Sequence, residues 1–67
     1  MRDPNRLYNF YSELMMIHQT KFPDMRFGQF MDCLFSWLLS RKSLDGFYIE
    51  DDEMLKYIKE YTSEIRY

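Results

Sequence analysis

An all-α fold, three helices forming a small domain with the second helix at its centre, is predicted by three observations. Valine and alanine are absent and β-branched side chains are limited to Ile17, Thr20, Ile49, Ile58, Thr62 and Ile65, so strand propensity is low along the chain. Apolar residues recur at spacings of three and four in three separate stretches. Between those stretches stand Phe22-Pro23-Asp24 and Asp45-Gly46, which stop helices or form turns.

The elements follow in order. Asp3-Pro4 has the form of a helix cap followed by proline at the first helical position. From there Leu7, Phe10, Tyr11, Leu14, Ile17 and His18 share one face of a helix expected to run to about Lys21, because the residue before Pro23 resists the α conformation. Asp24 is the expected cap of a second helix reaching about Ser40. On a wheel of about 100° per residue its Phe27, Phe30, Met31, Leu34, Phe35, Trp37 and Leu38 cover more than one stripe, so it must meet more than one neighbour. Phe47-Tyr48-Ile49 is expected to be a short extended segment. The third helix is expected to begin within Glu50-Asp51-Asp52-Glu53, where negative charge complements the helix dipole, with Met54, Tyr57, Ile58, Tyr61 and Ile65 on its apolar face. No repeat or linker divides residues 1–67, which are expected to form one helical domain.

A chain of 67 residues supplies a core worth only about 3 to 5 kcal/mol net unless something else helps. One cysteine, Cys33, excludes an internal disulfide, and with the one histidine, His18, it falls short of a structural zinc set. What remains is self-association and dense aromatic packing, for which six Phe, six Tyr and one Trp are available. Cysteine scarcity and an N-terminal Met1-Arg2-Asp3-Pro4-Asn5-Arg6 without an apolar core point to the cytosol. The apolar run from Phe30 to Leu39 is too short and too interrupted to span a bilayer. The net charge of −2 divides unevenly: residues 1–42 carry six basic and four acidic groups, residues 43–67 three basic and seven acidic. A basic footprint for direct nucleic-acid binding is absent, and a concentrated acidic patch takes its place.

No residue set has the spacing of a catalytic, cofactor or metal site. Glu50 to Glu53 could hold a cation or imitate a row of phosphates, but acidic residues are favourable at a helix start without any function, and the glycine and distal glutamate of an EF-hand loop are missing. His18 and Cys33 could in principle face each other, yet nothing supplies an oxyanion hole or an orienting third group, and a packed histidine with a small buried thiol explains both. Gly28, Asp32, Ser36 and Ser40, at four-residue spacing, either admit a close helix or form a solvent face. The apolar arc of the second helix is wider than two flanking helices need to cover, and Met16 falls on the polar side of the first. Apolar surface around Trp37, Phe35 and Met16 is therefore expected to remain exposed as a contact surface.

Arg2-Asp3-Pro4-Asn5-Arg6, Pro23-Asp24-Met25-Arg26-Phe27-Gly28-Gln29 and Phe47-Tyr48-Ile49-Glu50-Asp51-Asp52-Glu53 together resemble a group of very short proteins from bacteria and their phages, over nearly the whole chain. The resemblance implies a phage or prophage setting, hence the cytoplasm of a bacterial host, and no particular activity.

The functional expectation is a non-enzymatic interaction protein, in that setting an inhibitor of a host defence or regulatory protein. Its contact residues would be Trp37, Phe35 and Met16 with the acidic Glu50, Asp51, Asp52 and Glu53. A homo-oligomer is compatible with this reading. The alternative is an oligomeric nucleotide-binding protein in which tyrosines stack on bases, which the low count of basic groups near the aromatics disfavours.

Overall fold

The structure is a computed structural model and describes residues 2–65. Helix α1 spans Arg6–Lys21, α2 Phe27–Lys42 and α3 Asp51–Glu64, with a 3-10 turn at Gly46–Tyr48 between the last two. No strand occurs among the described residues.

Local chemistry sets each boundary. The Asp3 carboxylate accepts the Asn5 N–H at 2.9 Å. The carbonyls of Asp3, Pro4 and Asn5 accept from the N–H groups three residues on, at 3.2 Å each. The chain therefore enters α1 through a tighter turn, and Pro4 stands two residues before the first α-helical position. The helix ends at Lys21, as the following Phe22-Pro23 dictates, with the Phe22 N–H still donating to the His18 carbonyl at 3.1 Å.

Asp24 is not the cap of α2. The Met25 N–H is drawn back to the Phe22 carbonyl at 3.1 Å, and the Met25 carbonyl accepts from His18 Nε2 at 2.6 Å, so the turn continues for two more residues. The helix starts at Phe27, and the Gln29 side-chain oxygen reaches back to the Arg26 N–H at 2.8 Å. At its far end α2 continues to Lys42, beyond the expected Ser40. Ser43 then takes a left-handed conformation (φ 55°), and the Leu44 N–H bonds the Leu38 carbonyl at 3.1 Å.

The extended segment expected at Phe47-Tyr48-Ile49 is a 3-10 turn over its first two residues, and only Ile49 and Glu50 are extended. Asp45 causes this: its carboxylate accepts the Phe47 N–H at 3.0 Å and its carbonyl the Tyr48 N–H at 3.1 Å. The local side-chain bond wins over the weak strand preference of three aromatic and branched residues.

The buried core comprises Leu14 from α1, Phe22 from the connection, Phe30, Leu34, Trp37 and Leu38 from α2, and Met54, Ile58 and Tyr61 from α3. Because α2 contributes four of these nine, it is the central helix. Aromatic edges knit the centre: Phe22 meets Phe30 at 5.3 Å and Tyr61 at 5.9 Å between ring centroids, and Trp37 meets Tyr61 at 5.4 Å. The molecule measures 37 × 27 × 19 Å. Its thinnest dimension is about two helix diameters, so a helix packed on its inner side faces water on its outer side.

Candidate protein-interaction face

Trp37 is buried, 6% exposed, which corrects the expectation that it borders an open contact surface. Tyr61 of α3 packs edge-on against its ring, and the Lys42 ammonium lies 5.7 Å from the ring centroid, where the aromatic face attracts a cation. Trp37 and Leu39, two positions apart on a helix, face directions about 200° apart. Helix α3 covers the Trp37 edge of the arc and leaves the Leu39 edge open.

That open edge carries the surplus apolar surface. Along α2, Phe27 and Leu39 are each 64% exposed and Phe35 44%, with Phe35 eight residues after Phe27 and Leu39 four after Phe35. With half-buried Met31 between them they form one ridge. The 3-10 turn brings Phe47, 84% exposed, beside the ridge. Gly46 permits this approach: a Cβ there would lie 2.8 Å from the Phe35 ring. Two hollows flank the aromatic pair. One, about 460 Å³, is lined by Phe35, Leu39, Leu44, Asp45, Gly46 and Phe47. The other, about 360 Å³, runs towards α1 and includes Tyr11, Phe27, Met31, Phe35 and Phe47, with Arg2 at its margin.

Phe35 thus lies on the face where it was expected. Met16 is exposed as expected but lies apart, in a shallow groove with Ser12, Glu13, Ile17 and Lys59. Phe27, Leu39 and Phe47 are the contact candidates that sequence reasoning missed, Phe27 because it counts there only in the arc that meets the neighbouring helices. The signal for Leu39 was its place in the apolar run outside the wheel positions that face the core. For Phe47 it was an aromatic directly after an Asp-Gly turn, in a connection of the kind that runs over a protein's surface.

The acidic run is partly neutralised within the chain. Glu50 pairs with Arg2 at 2.5 Å and Asp51 with Arg6 at 2.8 Å, while an Asp52 oxygen accepts the Glu53 N–H at 3.0 Å. Among the described residues only Asp52 and Glu53 of the four have no cationic partner, so the acidic surface offered to a partner narrows to those two. The same pattern recurs at the other end, where Arg41 pairs with Glu64 at 2.6 Å and Lys42 with Glu60. The basic residues of the first part of the chain therefore pair with acidic residues of the second, each exposed pair contributing little by itself because water and salt screen it. The Glu64 carboxyl is held below its ordinary range, first by the hydrogen bond from Arg41 and more weakly by the nearby Trp37 indole. That indole N–H is buried and makes no hydrogen bond of full geometry among the described residues.

His18 and Cys33 are each engaged in packing and local bonds and not with each other among the described residues. No hydrogen bond joins them among the described residues; the His18 Nε2–H donates to the Met25 carbonyl and the ring packs on Phe30 at 4.9 Å, while Cys33 is half-buried against the core. No group of three or more His, Cys, Asp or Glu among the described residues could hold a metal ion, and no helix among them is long and apolar enough to cross a membrane. Comparison of the chain with family models, with curated proteins and with solved structures found no match.

Proposed function

We propose that the chain is a non-enzymatic protein-interaction module that works through the ridge Phe27–Phe35–Leu39 and the adjoining Phe47. The observation that supports this reading is the size of the face. Phe27, Phe35 and Phe47 alone leave about 300 to 480 Å² exposed, taking a phenylalanine as roughly 150 to 250 Å². A typical monomer's largest apolar patch, about 300 to 600 Å², is of that size and is often functional, and this one sits on a small domain that can ill spare apolar surface. Asp52 and Glu53 add charge that would act on association rate more than on affinity. The resemblance to short bacterial and phage proteins makes a host defence or regulatory protein in the bacterial cytoplasm the proposed target, with the chain as its inhibitor.

The nucleotide-binding alternative has one point in its favour, Arg2 beside an aromatic hollow. Arg2 is already paired with Glu50, which leaves the hollow without a free cation for a phosphate among the described residues.

The test is affinity capture from bacterial lysate with the parent chain and with Leu39→Glu, an exposed position whose change leaves the core intact. A protein retained by the parent and lost by the variant supports the reading. Retention that is equal for both removes the ridge as the contact, and no specific protein at all removes the host target.

A further inference from the structure

We infer that in the free protein this face is covered by a second copy of the same chain. The inference rests on the reading above, that the face binds protein, and names its occupant when no target is present.

The relief of α2 is self-complementary. The projecting row of Phe27, Met31, Phe35 and Leu39 runs beside a row of small or short side chains, Gly28, Asp32, Ser36 and Ser40, at the same four-residue spacing. Rows at this spacing from two helices interdigitate when the helices cross at about −50°, the commonest packing class in globular proteins. A two-fold axis across the middle of α2 therefore seats each large row in the other copy's small row, the isologous contact that closed dimers require. The small row is vacant in the single chain: a Cβ added to Gly28 would meet nothing within 4 Å.

Area and charge agree with that occupant. The three phenylalanines, with Leu39, Met31 and the rim of the two hollows, approach the roughly 600 Å² per partner at the lower end of stable interfaces. The same axis carries the start of one helix, at Arg26, towards the partner's Asp45 beyond the end of the other. Neither side chain has an ion pair among the described residues. Asp32 is the one feature that opposes the contact, since it lies close to the axis in both copies.

The experiment is sedimentation equilibrium of the full chain from about 1 to 200 µM, a range that reports dissociation constants in the micromolar decades. The parent is expected to dimerise. Gly28→Leu, which enters open space in the single chain, and Leu39→Glu should each weaken the dimer by at least about tenfold while helical circular dichroism is unchanged. Asp32→Ser should tighten it. A parent that stays monomeric throughout, or a dimer indifferent to both Gly28→Leu and Leu39→Glu, overturns the inference. A monomeric parent whose captured target is nonetheless lost on Leu39→Glu overturns the second copy and leaves the protein-binding reading standing. A dimer that both variants break, with no target captured, upholds the second copy and removes the host target.

Discussion

Helix α2 has two edges of similar apolar character, and the chain treats them oppositely. At one edge Trp37 is closed over by Tyr61, with Lys42 above the ring and the Arg41–Glu64 and Lys42–Glu60 pairs around it. At the other, Phe27, Phe35 and Leu39 stand open beside the exposed Phe47. Composition does not distinguish them, since each offers large side chains enriched at interfaces and in cores. Placement of the last helix does: α3 returns along one side of α2, and the ion pairs between the basic end of α2 and the acidic residues of α3 lie on that side. An apolar arc in a small domain therefore announces how much surface will be left over, while the position of the neighbouring helix decides where.

The largest effects should come from the closed edge and the centre. Trp37→Ala is expected to cost about 3 to 5 kcal/mol and Leu34→Ala about 2 to 5, because both side chains are buried and leave cavities. In a domain of this size either loss is enough to unfold most of the population. Leu39→Ala, at the open edge, should stay within about 0.5 kcal/mol at protein concentrations low enough to keep the chain monomeric. Urea denaturation of the three variants measures the contrast directly. A Trp37→Ala protein as stable as Leu39→Ala would mean that the two edges are not different after all.

A smaller effect is expected where the open edge is built. Gly46→Ala places a Cβ 2.8 Å from the Phe35 ring, so the ring, which is half free to swing, must move outward. The cost should be about 1 kcal/mol, at the low end for overpacking because the obstacle is a partly exposed side chain and not backbone. Displacing Phe35 should also lower self-association, and sedimentation at a fixed concentration reads that without reference to stability. Unchanged association with the expected loss of stability would show that Phe35 supports the turn and lies outside the contact.

Much of the fold was legible in the residues. Helix spacing, Pro23 and the absence of good strand formers gave three helices with the second central, and α1 ends at Lys21 where the proline requires it. What misled was always a contact between residues distant in sequence or a local side-chain bond competing with a simple rule. Asp24 looks like a cap, but the His18 bond to the Met25 carbonyl prolongs the turn past it. Phe47-Tyr48 looks extended, but Asp45 folds it into a 3-10 turn. Phe22, set aside as the residue before a proline, fills the core between Phe30 and Tyr61. For the candidate face, surplus apolar surface was legible from the width of the α2 arc, and Phe35 is exposed on it as expected, whereas Trp37, expected there too, is buried, because a wheel drawn for one helix carries no information on which neighbour arrives from the other end of the chain.

The smallest prediction concerns the charges that seal the closed edge. The Glu64 carboxyl is held below its ordinary value, chiefly by the Arg41 hydrogen bond. A carboxyl lowered in the folded state binds fewer protons there than in the unfolded chain, so its contribution to stability is complete above the ordinary carboxylate value and is lost as pH falls through the lowered one. The Arg41 and Lys42 groups, raised by Glu64 and Glu60, contribute below their ordinary values and lose that contribution only in strong alkali, so they leave the acid window to the carboxylates. Denaturation midpoints of the parent and of Glu64→Gln, measured from neutral pH downward at low salt, should therefore differ slightly at neutrality and converge as acid protonates Glu64. Added salt should shrink the same difference, since the pair is exposed. A difference that persists unchanged into acid would mean that Glu64 acts through its contact with Trp37 and not through its charge, and that the closed edge of α2 is held by packing such as the Trp37–Tyr61 contact and not by its ion pairs.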